Sequence, residues 1–385
     1  MATWVAEERI PGAVLLVSRD GDVVLERAYG YARLFGYGRG QYRTAEGIDR
    51  LESPRPMTTT TVFDLASVTK VAATTMASML LVDRDALDLD APVSRYLPDF
   101  SGGGRDAITV RQLLTHSSGL SQWMPIYYHA SNPDEAYAYI RDLPLSWTPG
   151  AERHYSDIGF MVLGRVVEAA AGQELGAFLQ EALYRRLGLD RTGFLPRTGS
   201  EGDVGSYAAT SHGNPYERRM VHDSAFGYRI EGDPTAWSQW REYTLEGEVN
   251  DGNAHHAFRG MAGHAGLFAP ARELVRLLHV LENGGTLEGV QYMTPRTLAR
   301  FLTPHLEGQA LGWQLPEYAP EGAFGHTGFT GTFVLVVPNE GLVLALLTNR
   351  QNAGVDGETR YPDVGPLQRA VTRAITGAGP DGEGS

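Results

Sequence analysis

Phe63-Asp64-Leu65-Ala66-Ser67-Val68-Thr69-Lys70 is the stretch on which the reading of this chain turns. A helix is expected to begin near Ser67 and to run through Val71, Thr74, Met79 and Val82, with Asp64 or Ser67 near its start as a cap. Residues three apart on a helix share a face, so the Ser67 hydroxyl and the Lys70 amine become neighbours. A serine is a weak nucleophile until a base takes its proton. Lysine is such a base only when burial or a nearby cation lowers its pKa. Backbone N–H groups at the start of the helix would stabilise a developing oxyanion. Taken alone, Ser-x-x-Lys also fits a capping serine beside an exposed lysine, and the pattern counts only in its context.

Two further segments supply that context. Tyr155-Ser156-Asp157 follows Trp147-Thr148-Pro149-Gly150 and opens a predicted helix, and His326-Thr327-Gly328 lies just before a predicted strand. The three segments occur in the chain order of the Ser-x-x-Lys, Ser-Asp-Asn and Lys-Thr-Gly elements of penicillin-recognising serine enzymes. The chain resembles the serine β-lactamase and penicillin-binding protein superfamily, in the branch of class C β-lactamases, DD-peptidases and β-lactamase-fold esterases. The segments Ile108–Leu120, Gly260–Phe268 and Gly325–Gly331 carry the same resemblance, which extends from about residue 10 to 376.

The resemblance implies roles. Ser67 is expected to be acylated, Lys70 to accept or relay its proton, and Tyr155 to act as the second acid–base. The backbone N–H groups of Ser67 and Phe329 would form the oxyanion hole. Asp157, His326, Thr327 and Gly328, with Trp123 and Tyr127, are the expected substrate-binding residues. Two positions depart from the family pattern. Asp157 replaces an asparagine and favours a protonated Lys70. His326 replaces a lysine and weakens the cation that would hold a substrate carboxylate. Both changes fit an esterase or peptidase better than an efficient β-lactamase.

Composition narrows the partners. The chain has 385 residues, 33 basic and 46 acidic, for a net charge of −13. Nucleic acid and anionic membranes call for a basic face, and the densest basic clusters are the pairs Arg185-Arg186 and Arg218-Arg219. No cysteine is present, which removes disulfides, thiolate metal sites and a cysteine nucleophile. Residues 1–10 show no basic segment followed by an apolar one, so no signal peptide and a cytoplasmic location are expected. No apolar run approaches the roughly 18 residues of a membrane span.

The remaining pattern sets the fold. Gly12–Ser18 and Val23–Tyr29 flank Asp20-Gly21-Asp22 and read as a hairpin, followed by an irregular stretch over 31–57. Helices are expected after Asn132-Pro133, over 175–187 and over 274–281. Thr332–Val337 and Leu342–Leu347 are continuous apolar strands, so both of their faces should be covered, and a last helix is expected near 363–376. Strands at both ends with helices between give an α+β architecture, an α/β sandwich. The resemblance makes this a five-stranded antiparallel sheet flanked by terminal helices, plus an all-helical subdomain. The sheet subdomain is expected to comprise 1–66 and 315–376, and the helical subdomain 67–314. Residues 200–260 form its variable cleft rim, and 377–385 a disordered tail.

Other candidates read as structural. His116 is expected to be a hydrogen-bonded support residue. His255, His256 and His264 lack metal-ligand spacing, so no metal and no cofactor are expected. The aromatic runs at Trp123, Met124, Tyr127 and Tyr128 and at 226–243 read as packing or as an apolar wall for substrate. The function reached is an acyl-enzyme hydrolase of small esters or amides. D-amino-acid peptidase, DD-carboxypeptidase and weak β-lactamase are the alternatives, and a catalytically silent binding protein is the non-enzyme one. Expected partners are a small ester, amide or peptide, with no nucleic acid or membrane, in a monomer or simple homo-oligomer.

Overall fold

The computed structural model describes residues 1–37, 48–194, 206–228, 230–306 and 308–377. Its main sheet is fully antiparallel and has six strands. Their spatial order is Phe324–Thr327, Thr332–Val337, Leu342–Thr348, Gly12–Arg19, Asp22–Gly36 and Asp49–Pro56. The two ends of the chain meet at its centre, where Leu15 pairs with Leu346 and Val17 with Leu344.

The continuous apolar runs are explained by two covered faces. Ala13, Leu15, Val17, Phe333, Leu335, Leu344 and Leu346 point into one core, together with Leu367 and Val371 of helix Gly365–Thr376. Val14, Leu16, Val334, Val336, Val343 and Ala345 point into the other, with Leu274, Val275 and Leu278. Side chains alternate along a strand, so a strand buried on both faces has no polar positions to show.

Two expectations are corrected. The sheet has six strands instead of five, because part of the stretch read as irregular extends strand Asp22–Gly36 and forms strand Asp49–Pro56. That edge strand holds Pro54 and Pro56, which lack N–H donors and are tolerated only where no further strand pairs. Helix Ala271–Glu282 lies within the stretch assigned to the helical subdomain but packs on strands Leu342–Thr348 and Gly12–Arg19. The tail from residue 378 on, and residues 200–205 and 229 of the expected rim, lie outside the described residues.

Among the described residues no helix is long and apolar enough to cross a membrane. A small three-stranded sheet of Val62–Asp64, Leu267–Pro270 and Gly193–Phe194 joins the two regions and leads directly into the Ser67 turn. Leu344 is wholly buried in the terminal-helix core. Leu344→Ala should therefore cost about 2–5 kcal/mol, read as a lower denaturation midpoint.

Candidate active site

The Ser67 turn is held by its neighbours before any chemistry is considered. Ala66 takes a left-handed φ of 46°, a conformation that costs a residue with a Cβ. The Asp64 carboxylate offsets this by accepting from Ala66 N at 2.8 Å and from Asn250 N at 2.6 Å. Burial pushes the Asp64 pKa up to about 6, despite these two hydrogen bonds. Thr330 and Thr332 donate to the carbonyls of Asp64 and Leu65, tying the turn to the sheet.

The helix then starts with a π-type turn, Lys70–Thr75, and continues as Met76–Asp83. It carries Lys70 into full burial. Its Nζ lies 2.9 Å from Ser67 Oγ, 2.6 Å from Asp157 Oδ1 and 3.4 Å from the His264 carbonyl. Burial alone would depress the Lys70 pKa. The Asp157 carboxylate and the Tyr155 phenol more than offset it, and the ammonium is held above its ordinary value. Lys70 is also the sole lysine of the chain, every other basic side chain counted being arginine. Arginine does not give up its proton in proteins, so Lys70 is the one side-chain amine able to do so.

Tyr155 arrives from the other side of the cleft. Ser156 caps helix Asp157–Ala171, its Oγ accepting from Gly159 N at 2.9 Å and donating to Ser121 O at 2.6 Å. His116 Nδ1 accepts from Ser156 N at 3.0 Å, and its carbonyl accepts from His154 N. Burial drives the His116 pKa well below the usual range, which preserves the neutral ring as an acceptor. His116 thus supports the Tyr155 segment. Burial raises the Tyr155 pKa, partly countered by Lys70, and its hydroxyl interacts with both Lys70 and Ser67. The helix comes this close because Gly263 has no side chain; a Cβ there would lie 2.0 Å from Phe160 O.

The third wall is the segment after Phe324–Thr327. A Cβ on Gly328 would lie 2.0 Å from Thr332 Oγ1 and 2.5 Å from Leu65 O, so only glycine fits against the Ser67 turn. Arg350 fixes the next peptide, donating from Nε and Nη2 to Phe329 O at 3.0 and 2.8 Å. Among the described residues neither Ser67 N nor Phe329 N donates a hydrogen bond. Free donors of this kind are what an oxyanion requires.

These elements enclose a cleft of about 560 Å³ lined by Ser67, Tyr155, Asp157, Trp123, Thr327, Gly328 and Phe329. Two expected substrate-binding residues are elsewhere. His326 is 1% exposed, donates from Nδ1 to Thr327 O at 2.7 Å, and does not line the cleft. Burial and the nearby Lys70 push its pKa down to about 3, so it is a neutral ring and not a partial cation. Tyr127 is buried and lines a second cavity of about 280 Å³ with Tyr128, Trp237 and His256.

Other lining residues were not singled out by sequence reasoning: Asn214, Tyr216, Glu217, Asp251, Gln314 and Arg350. His264 donates from Nε2 to Asp251 Oδ1 at 3.0 Å. Asp157, Asp251 and His264 bring ligand-type atoms within 4.8 Å of one another. That donor set is already engaged, since Asp157 pairs with Lys70 and Asp251 with His264. His255 and His256 do not join it. They pack edge to face, and burial pushes their pKa values down to about 4 and 3.

The chain is similar to known proteins over most of its length. The family model described as Beta-lactamase matches residues 1–366. An N-acetylmuramyl-L-alanine amidase of Bacillus subtilis (strain 168) is 33% identical over 387 residues, covering 92% of this chain and 80% of that protein. A putative D-alanyl-D-alanine carboxypeptidase of Escherichia coli (strain K12) is 28% identical over 393 residues, covering 94% and 85%. The crystal structure of a class C β-lactamase from Rhodobacter sphaeroides superimposes with a TM-score of 0.65 at 21% identity, covering 97% of this chain and 96% of that one.

Proposed function

The chain belongs to the β-lactamase family of serine hydrolases, and on that premise we propose that small esters or amides acylate Ser67 and are released by water. The observation that carries this reading is the contact of Ser67 Oγ with Lys70 Nζ at 2.9 Å, with the Tyr155 hydroxyl against both. A nucleophile within hydrogen-bond reach of its base, and a base fixed by a third group, is the general signature of an activated serine.

The steps follow from the geometry. Ser67 Oγ attacks the carbonyl carbon while its proton passes to the Lys70–Tyr155 pair. The carbonyl oxygen becomes an oxyanion facing the N–H groups of Ser67 and Phe329. Collapse breaks the bond to the leaving group, which takes a proton from Tyr155 and departs as alcohol or amine. Water then gives a proton to Tyr155 and attacks the acyl-Ser67 ester. The acid leaves, and Ser67 regains its hydrogen.

Charge favours small esters and amides over substrates ending in a carboxylate. His326 is neutral and buried. The only lysine or arginine among the described lining residues is Arg350, and it is committed to Phe329 O and Pro362 O. Among the described lining residues a D-alanyl-D-alanine peptide or a β-lactam would find no free lysine or arginine for its carboxylate. On this ground we rank an esterase-like or amidase activity ahead of DD-carboxypeptidase and β-lactamase activity.

A fluorophosphonate probe should add its mass to the native protein at Ser67 and leave Ser67→Ala unmodified. An unmodified native protein would contradict acylation at Ser67. A second prediction concerns pH. The Lys70–Tyr155 pair must lose one proton before it can receive that of Ser67, and both groups are held above their ordinary values. The competent form therefore grows in as pH rises, with a macroscopic pKa that belongs to the pair. Asp157→Asn removes the carboxylate that holds the ammonium. The rising limb of kcat/KM should move to lower pH by about one unit, measured with a nitrophenyl ester.

A further inference from the structure

Asp64 is a carboxylate buried under the nucleophile, and a buried carboxylate is costly unless its oxygens are satisfied. Both oxygens are taken by backbone N–H groups, Oδ1 by Ala66 and Oδ2 by Asn250. The charged groups that act on it are Asp251, itself paired with His264, and Arg241, of opposite sign. Lys70 acts on Asp251, and Glu217 accepts from Gly252 N at 3.1 Å, so both lie one step further away. Strand Leu267–Pro270, where Phe268 pairs with Asp64, carries no ionisable side chain. The sheet side presents the hydroxyls of Thr330 and Thr332.

Two segments far apart in the chain meet on this one group. The peptide between Ala66 and Ser67 carries the Ser67 N–H on one side and Ala66 O on the other. Ala66 O is held by Thr69 N at 2.9 Å. With that oxygen fixed, the direction of the Ser67 N–H depends on Ala66 keeping its left-handed φ, which a residue with a Cβ resists. The bond from Ala66 N to Asp64 holds it there. Asn250 belongs to the rim, where its carbonyl accepts from Arg241 Nη2 at 2.6 Å and from Asn214 Nδ2 at 2.7 Å. Ala66, Ser67 and Asn250 all line the cleft, so Asp64 pins the rim to the nucleophile turn from behind. A backbone N–H only donates, so both Asp64 oxygens must accept. A carboxylate meets that demand, whereas a protonated acid or an asparagine turns a hydrogen toward one of the donors.

We propose that Asp64 is a positioning residue for the acylation of Ser67: as a carboxylate it locks Ala66 to the rim at Asn250 and so aims the Ser67 N–H at the developing oxyanion. It touches neither substrate nor the reacting atoms, and the role rests on the hydrolase reading above. Two consequences separate it from a tether that merely stabilises the fold. Acylation requires Asp64 to be ionised as well as one proton lost from the Lys70–Tyr155 pair. The logarithm of the rate should therefore climb by about one per pH unit above pH 6 and by about two per unit below it, where Asp64 takes up its proton. The strain lies at a residue with a Cβ, so glycine at position 66 should hold the same φ without the tether.

Two readouts on the full-length protein test this: the rate of fluorophosphonate labelling as a function of pH, and kcat and KM for a nitrophenyl ester. Asp64→Asn should label at least about tenfold more slowly at neutral pH, as expected for the loss of a hydrogen bond to a charged group. The loss should fall on kcat, with KM changed by less than about threefold, because the oxyanion forms only in the transition state. Adding Ala66→Gly to Asp64→Asn should recover most of the labelling rate, which a purely stabilising carboxylate would not allow. Ala66→Gly alone should lose the steeper limb below pH 6, and this variant decides the matter even if Asp64→Asn does not fold. Native-like labelling by Asp64→Asn overturns the role, as does a native profile without the steeper limb or a steep limb that survives Ala66→Gly. Failure of the hydrolase reading shows separately, as a native protein that neither labels nor turns over the ester.

Discussion

The buried ion pair between Lys70 and Asp157 is the contact on which the rest of the site depends. An ammonium with no exposed surface is tolerated only with a close counter-charge, and the 2.6 Å contact supplies it. Three segments distant in sequence meet on that one nitrogen: the Ser67 turn, the start of helix Asp157–Ala171 and the His264 carbonyl. Breaking the pair would leave a charge buried alone, so the pair fixes geometry as well as protonation. That the chain contains a single lysine and places it here is consistent with a need for an amine that arginine cannot fill.

The fold supplies the meeting point. The sheet is closed by strands from both chain ends and covered on both faces, which gives the wall bearing Thr327, Gly328 and Phe329 a rigid support. The helical region supplies Lys70 and Tyr155 from the other side. Gly263 and Gly328 set how closely the walls approach, because a methyl group at either position would overlap a neighbouring atom. The cleft is thus a boundary between two cores, a common location for ligand sites.

Legibility from sequence follows the range of the interactions. Ser67 and Lys70 could be paired because helical spacing is local, and the continuous strands revealed their two covered faces. His326 was misplaced for a simple reason. Successive side chains on a strand point to opposite faces, so with Thr327 in the cleft the ring of His326 turns into the interior. Strand Asp49–Pro56 was hidden by its prolines and charges, which suit an edge and mimic a loop. Tyr127 sits in a loop region without periodicity, and nothing local told wall from core. Glu217 and Asp251 carry no local signature at all. They reach the cleft only through tertiary folding of the rim, where the sequence offers residue types but no spacing to test.

The protonation state of Lys70 is the most direct test of this account. Because Lys70 is the sole lysine, protein labelled with ¹⁵N,¹³C-lysine gives one side-chain signal, and its Cε shift can be followed with pH without any assignment. The Asp157 contact predicts an ammonium signal that persists from neutral pH to beyond the ordinary lysine range. A neutral amine at pH 7 would contradict it and with it the central role given to the ion pair.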